Sequence, residues 1–392
     1  MNILVVHESE YIEKVVFEYQ IIPEIWASMG HKVFVIDFES NWQKSGFWNL
    51  VSKTKIIKNV KKADKKNGVT LIRPGFIKIP IISRICAAIT HYFVIKSTIK
   101  KHKIDVLFLY SVPTNGLQAI RAARVCGVPV YFRLLDVLHR LVPYKVLVYP
   151  AYLMERVAYR RVDELTAITP KLTEYAIGLG ANPKTTSYLP TGYDDDLFFA
   201  KPKNKSLMKK FEISKKDKVI VFAGTLYKFS GLDLVLNYFA RHKADFKNIK
   251  FLIIGHGQQG AELKEIIAKN HLEKRVIMTG FVDYKLLNDY LNLADICINP
   301  FAINDVTRII FPSKIYQYLA CRKPVIATKL PGLLDLFPDN KGENNIYYYR
   351  EKNISGFFAL IKSIKTNCTY KKESSLQDIA KIIEKRLTDL IS

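Results

Sequence analysis

The stretch Val219-Ile220-Val221-Phe222-Ala223-Gly224-Thr225-Leu226-Tyr227-Lys228-Phe229-Ser230-Gly231-Leu232-Asp233 reads as a buried strand, a turn with glycine at both ends, and the start of a helix. Glycine lets a ligand approach the backbone closely, and a helix start offers free N–H groups to a phosphate, with Lys228 as a matching charge. A purely structural strand-to-helix turn would use the same residues. The rhythm continues downstream. Phe251–Ile254, Val276–Thr279, Ile296–Asn299 and Pro324–Ala327 read as strands, separated by helices over Gln258–Asn270, Tyr284–Asn292 and Ser313–Ala320. Such alternation specifies a parallel sheet with helices on both faces.

The same pattern precedes this stretch. Residues 2–7, Lys32–Asp37, Val69–Arg73, Asp105–Tyr110, Pro129–Leu134 and Glu164–Ile168 read as strands. Tyr11–Met29, Ile81–Lys100, Gly116–Cys126, Val146–Tyr159 and Lys171–Leu179 read as helices, and Ser52–Asn67 as a basic, irregular stretch. Residues 200–217, with Lys201-Pro202-Lys203-Asn204-Lys205 and the charged run Ser214–Lys218, break the pattern. The organisation expected is therefore a first Rossmann-like domain over 1–199, a linker over 200–217, a second such domain over 218–370, and a final helical segment over 371–392. Two doubly wound units joined by one linker are expected to enclose a cleft, with ligands at the carboxyl ends of the strands.

The chain has 392 residues, 49% of them hydrophobic, enough for two sizeable cores. Its five cysteines (Cys86, Cys126, Cys297, Cys321, Cys368) are scattered, without metal-site spacing, and read as small buried hydrophobes in a reducing compartment; no metal and no cofactor is expected. Met1-Asn2 runs directly into an apolar strand without a basic leader, and Arg84, His91 and Lys96 interrupt the best candidate for a membrane span. A cytoplasmic protein is expected. The formal charge is +24, and residues 51–150 carry 19 Lys and Arg against 3 Asp and Glu, a local +16. That excess points to an anionic partner, although a solvated face would also carry it. No basic helix with interleaved aromatics marks a nucleic-acid reader, so the anion expected is a membrane surface or a phosphorylated substrate.

Four further constellations could carry chemistry. Ile254-Gly255-His256-Gly257-Gln258-Gln259-Gly260 superficially matches a dinucleotide fingerprint, but lies mid-domain, where glycines closing a tight turn explain it better. Thr279-Gly280-Phe281-Val282 ends a strand in glycine, against which a base could lie. At Phe311-Pro312-Ser313-Lys314, Ser313 is expected to cap a helix, and Lys314 in its first turn opposes the macrodipole and so suggests a nearby anion; Gln317 shares its face. In the first half, Arg133, Asp136, His139 and Arg140 follow a strand and could line a cleft or simply bond the loop.

In order, these stretches resemble the retaining, metal-independent glycosyltransferases of GT-B architecture, specifically glycosyltransferase family four. Also matching are Gly30-His31-Lys32-Val33, Gly127-Val128-Pro129-Val130, Asp163–Thr169 with Pro170, Leu189-Pro190-Thr191-Gly192-Tyr193-Asp194, Ala294-Asp295-Ile296 and Pro312–Thr328. The resemblance implies an α/β fold of two Rossmann-like doubly wound domains facing a cleft, with the C-terminal helix returning to the first. It implies that the second domain binds a nucleotide-diphosphate sugar and the first receives a glycan or lipid-linked acceptor. Phosphate contacts are implied at Gly224, Thr225, Lys228, Ser230, Arg308, Ser313 and Lys314. Nucleoside contacts are implied at Gly280, Phe281, Val282 and Gln317, and catalytic roles at Asp136, His139 and Lys314.

This chain departs from the family's pattern. Two glutamates eight positions apart are replaced by Ile309 and Gln317; an amide still bonds a ribose diol, but less strongly than a carboxylate. The usual Arg and Lys of the phosphate turn fall on Thr225 and Ser230, the first-domain glycine pair on Glu8-Ser9-Glu10, and the His of a His-Asp pair on Leu135. Transfer with retention and without metal is expected, at the cytoplasmic face of a membrane. A nucleotide-sugar epimerase of the same shape and a catalytically silent binding subunit are the alternatives.

Overall fold

A computed structural model of the chain describes residues 1–39, 51–63, 65–79, 82–142, 144–365 and 374–392. The expectations for Ile81, Cys368 and the 370/371 boundary lie outside the described residues. The described part divides into two compact units, residues 1–191 with 376–392, and residues 192–375.

The first unit is built on β1 (Asn2–Val6), whose Ile3, Leu4, Val5 and Val6 are fully buried. Then follow α1 (Glu18–Ser28), β2 (Lys32–Ile36), β3 (Lys55–Val60), β4 (Val69–Arg73), α2 (Ile82–His102), β5 (Val106–Leu109), α3 (Gly116–Val125), β6 (Val130–Leu134), α4 (Lys145–Tyr159), β7 (Glu164–Ala167), α5 (Pro170–Gly178) and β8 (Thr186–Tyr188). The sheet order is β3-β4-β2-β1-β5-β6-β7-β8, parallel except for β3. Right-handed crossovers put α1 on one face and α2, α3 and α4 on the other, with α3 packed against both of its neighbours.

Two expectations fail here for physical reasons. Tyr11–Met29 is not one helix, because Tyr11 is held by tertiary bonds. Its N–H donates to Asp37 (2.9 Å) and its hydroxyl to the Gln20 carbonyl (3.1 Å), while the Gln20 side chain accepts from the Phe17 N–H (2.7 Å), so α1 starts at Glu18. Asp37 is itself paired with Arg73 at 2.6 Å. The stretch Ser52–Asn67 is not wholly irregular: it contains β3, an antiparallel edge strand whose exposed lysines suit an unpaired edge.

The second unit contains α6 (Lys205–Lys210), β9 (Lys218–Ala223), α7 (Leu232–Arg241), β10 (Ile249–Ile254), α8 (Gly260–Lys269), β11 (Val276–Gly280), α9 (Leu287–Leu291), β12 (Ile296–Asn299), α10 (Lys314–Ala320), β13 (Val325–Thr328), α11 (Pro331–Leu334), β14 (Ile346–Tyr349) and α12 (Ile354–Ser363). Its sheet is wholly parallel, in the order β11-β10-β9-β12-β13-β14. The stretch 200–217 groups with this unit and carries α6, capped by the Asn204 side chain.

The last helix, α13 (Leu376–Ile391), returns to the first unit as expected. Its buried Leu376, Ile379, Ala380, Ile383 and Leu387 form one face at helical spacing. Trp26 Nε1 donates to the Ala380 carbonyl (2.9 Å), His31 meets Glu384 (3.0 Å), and Arg386 reaches Glu164 and Ser187 (2.8 Å each).

Candidate functional site

In the second unit the neighbouring strands β11, β10 and β9 run out at Gly280, Gly255 and Gly224. The backbone zips the three ends together: Gly255 N–H donates to the Gly280 carbonyl and Gly224 N–H to the Ile254 carbonyl, both at 2.9 Å. Gly255 has φ +129°, and a Cβ there would lie 2.0 Å from the Gly224 carbonyl oxygen, so only glycine permits this approach. The Gly255-His256-Gly257 stretch thus serves strand-end packing. Gly280 is different: nothing lies within 4 Å of where its Cβ would stand, which leaves room for a ring beside that backbone. Phe281, next in the chain, is exposed, and Val282 follows it partly exposed.

Gly224 faces a cation. A Cβ at this position, where φ is +140°, would sit 2.8 Å from the Lys314 ammonium. The Lys314 Nζ lies over the Phe222 ring (3.9 Å to its centroid) and the Phe301 ring (4.5 Å). No carboxylate pairs with it among the described residues. Aromatic faces offset part of the loss of hydration, but burial still lowers its pKa from 10.5 to about 7. An ammonium that is poorly solvated, stands beside bare backbone and has no acidic partner among the described residues can take an anion.

The position of Lys314 is set one helical turn further on. The Tyr318 hydroxyl, fully buried, accepts from the Ala223 N–H (2.8 Å) and lies 3.3 Å from the Ala223 carbonyl, pinning α10 to the end of β9. Lys314 and Tyr318 are four residues apart and share a helix face. Sequence reasoning missed Tyr318, Phe222 and Phe301; the spacing of Lys314 and Tyr318 was the available signal. Ser313, expected to cap α10, does not: its backbone is already helical (φ −53°, ψ −24°) and its side chain makes no cap bond. Gln317 is partly exposed on α10, with no side-chain hydrogen bond among the described residues.

The remaining second-unit candidates differ in exposure. Thr225, Lys228 and Arg308 are exposed, and no acidic partner holds either cation among the described residues. Ser230 is fully buried, and its hydroxyl has no partner among the described residues. Asn299, at the end of β12, is fully buried too, and its amide nitrogen and oxygen both lack partners among the described residues. Ser230 was already among the implied phosphate contacts, whereas Asn299 was not distinguishable from an ordinary polar residue in the sequence. Burying such groups unbonded is unfavourable, and it concentrates here beside the Gly231–Pro300 approach.

In the first unit the proposed cleft lining separates into different roles. Arg133 is wholly committed to structure: fully buried, it pairs with Glu18 (2.8 Å) and donates to the carbonyls of Leu189 (2.7 Å) and Pro190 (2.9 Å). His139 is tied down as well. Its Nδ1 lies 3.3 Å from the buried Glu155 carboxylate and 3.1 Å from the Tyr175 hydroxyl, which itself donates to Glu155 at 2.6 Å. Asp136 alone has no hydrogen-bond or ionic partner among the described residues. Burial raises its pKa from 3.8 to about 7. At the end of β1, Glu8 replaces a glycine turn by accepting from the backbone N–H groups of Thr114 and Asn115.

Two doubly wound sheets, the first parallel but for β3 and the second wholly parallel, define the GT-B class. A crystal structure of an Anabaena protein in complex with UDP and glucose has the same fold, with a TM-score of 0.69 at 16% identity over 100% of both chains. Residues 203–382 match the model of the glycosyl transferases group 1, and residues 62–192 that of the glycosyl transferase 4-like domain. The chain belongs to these GT-B, family-four-like glycosyltransferases. An uncharacterized glycosyltransferase of Methanocaldococcus jannaschii is 23% identical over 253 residues, 59% of this chain and 60% of that protein. The gpi3 subunit of a phosphatidylinositol N-acetylglucosaminyltransferase from Schizosaccharomyces pombe is 26% identical over 159 residues, 41% of this chain and 32% of that one. The chain thus spans 60% and 32% of the length of these two relatives, less than two thirds of either.

Proposed function

We propose that this glycosyltransferase moves a hexose from a nucleotide-diphosphate sugar to a lipid-linked or glycan acceptor, with retention and without a metal. The observation that carries the donor side is the unpaired Lys314 ammonium against the backbone of Gly224. As the bond from the anomeric carbon to the diphosphate breaks, its electron pair passes to the diphosphate oxygen. Lys314 stabilises that negative charge, aided by Lys228 and Arg308 and by the turn residues Thr225, Ser230 and Ser313. The base lies against Gly280, Phe281 and Val282, and Gln317 holds the ribose hydroxyls through its amide. The acceptor oxygen attacks from the face the diphosphate leaves, and its proton goes to the departing oxygen.

Asp136 orients the donor sugar, and His139, held by Glu155 and Tyr175, supports that segment. The nucleotide in the Anabaena complex makes a uridine donor the first to test. A lipid-linked acceptor is favoured by the phosphatidylinositol named for the fission-yeast relative and by the +16 charge of residues 51–150, which also favours attachment to an anionic membrane on its cytoplasmic face.

Gln317 and Ile309 in place of glutamates favour a second reading, a nucleotide-sugar-binding subunit without turnover. Screening UDP-, GDP- and other sugar nucleotides for thermal stabilisation, followed by product analysis with the best one, separates the two. Stabilisation without transfer selects the binding subunit, a free epimerised nucleotide sugar selects the epimerase, and no stabilisation by any donor overturns both donor readings.

A further inference from the structure

We propose that the amino-terminal half of α4 docks the first unit on an anionic lipid surface. This rests on the membrane part of the reading above and not on its transfer chemistry, and it places the contact at the carboxyl end of the basic segment 51–150. No side chain from Lys145 to Pro150 is buried, so this end of the helix stands off the core. What it presents is apolar: Val146 is 79% exposed, Tyr149 68% and Tyr144 62%, with Leu141, Leu147 and Leu153 also exposed. A helix facing water ordinarily shows charge there, and a contiguous apolar patch of this kind marks a binding surface.

The charge around the patch selects its occupant. From Val137 to Met154 the sequence has no acidic residue. Lys145 lies within the patch and Arg156 is exposed on the same helix. The adjoining layer adds exposed Arg121 and Arg124 on α3, while Lys96 and Arg121 flank the Tyr92 ring on α2 (5.8 and 5.6 Å), beside exposed Ile89 and Phe93. Aliphatic side chains at a protruding tip, tyrosines around them and a collar of cations match a bilayer with anionic headgroups: the apolar tip enters the acyl boundary, the tyrosines sit at headgroup level and the cations meet phosphate. The tip already stands clear of the core, so insertion requires no unfolding.

The test is co-sedimentation of the full chain with vesicles of equimolar phosphatidylcholine and phosphatidylglycerol, and with pure phosphatidylcholine. Binding should be at least about tenfold tighter to the anionic vesicles. V146E/Y149E should lose at least about tenfold of that binding, and K145E alone should weaken it selectively on anionic vesicles. Both variants alter exposed side chains and should keep the melting temperature. Equal binding to the two vesicle types, unchanged binding by V146E/Y149E, or a wild-type dimer that this double variant makes monomeric without any vesicle binding would each overturn the proposal. Vesicle binding without stabilisation by UDP-glucose would support docking while removing the uridine-donor reading.

Discussion

The ammonium of Lys314 occupies the space in which a side chain on Gly224 would begin: a Cβ there would lie 2.8 Å from Nζ and 3.1 Å from Cε. The backbone carrying the phosphate turn and the cation proposed to meet the phosphate are thus one packing unit, held in register by the Tyr318 hydroxyl on Ala223.

Gly224→Ala is therefore expected to act on donor binding as well as on stability. A side chain at φ +140° strains the backbone by about 1–3 kcal/mol, and it displaces the ammonium. Calorimetric titration with UDP-glucose should show affinity reduced by about tenfold or more, and calorimetry a lower melting temperature. Full donor affinity in this variant would separate Lys314 from the donor site.

Lys314→Met is expected to abolish transfer while stabilising the ligand-free protein. Loss of a group that stabilises leaving-group charge lowers kcat by about a hundredfold or more, and a methionine suits the phenyl cage better than an unpaired ammonium. With its pKa lowered from 10.5 to about 7, wild-type Lys314 carries the full cost of burial below pH 7, and that cost fades as pH rises toward 10.5, where the unfolded chain binds the extra proton. The melting advantage of Lys314→Met should shrink accordingly across that range. Wild-type transfer rates in this variant would sink the assignment.

Donor binding should also take up protons. A diphosphate beside Lys314 raises the pKa of its ammonium again, so binding above pH 7 protonates it. Titrations in buffers of different ionisation enthalpy should reveal that uptake in the wild type, and Lys314→Met should lack it. Buffer-independent enthalpies at pH 8 would refute the coupling.

Asp136 has the opposite sign. Its carboxyl, raised from 3.8 to about 7, favours the folded state in its protonated form, so its contribution is present at acid pH and declines as pH rises from about 4 to 7. Asp136→Asn should melt like wild type near pH 4, melt higher above pH 7, and lower kcat by about tenfold or more if the carboxylate orients the sugar. An unchanged kcat would leave Asp136 a loop residue.

Arg133→Met leaves the Glu18 carboxylate buried without its partner, which costs about 3–5 kcal/mol. A large fall in melting temperature is expected, without selective loss of donor affinity in whatever fraction folds.

The alternation of apolar runs and helical spacing, the strand-end glycines and Lys314 in the first turn of α10 were all legible in the chain, because period, turn chemistry and charge are local properties. So was the return of α13, through its amphipathic spacing and the family likeness. The false continuation of α1 back to Tyr11 shows the limit of that reading: the periodicity was present, but Asp37, remote in sequence, supplied a stronger partner for the Tyr11 backbone.

At the site, sequence alone determined which residue types were available, with one lysine, an amide at Gln317 and glycines after three strands. Only the tertiary structure decided what each does. Arg133, Asp136 and His139 looked alike as polar residues after a strand. Arg133 is consumed by Glu18 and two carbonyls, His139 is held by Glu155 and Tyr175, and of the three Asp136 alone has no partner among the described residues. Lys314 similarly became a candidate cation through the rings of Phe222 and Phe301, which lie 92 and 13 residues away in the chain. Desolvation and pairing depend on neighbours brought together by folding, and no local pattern encodes them.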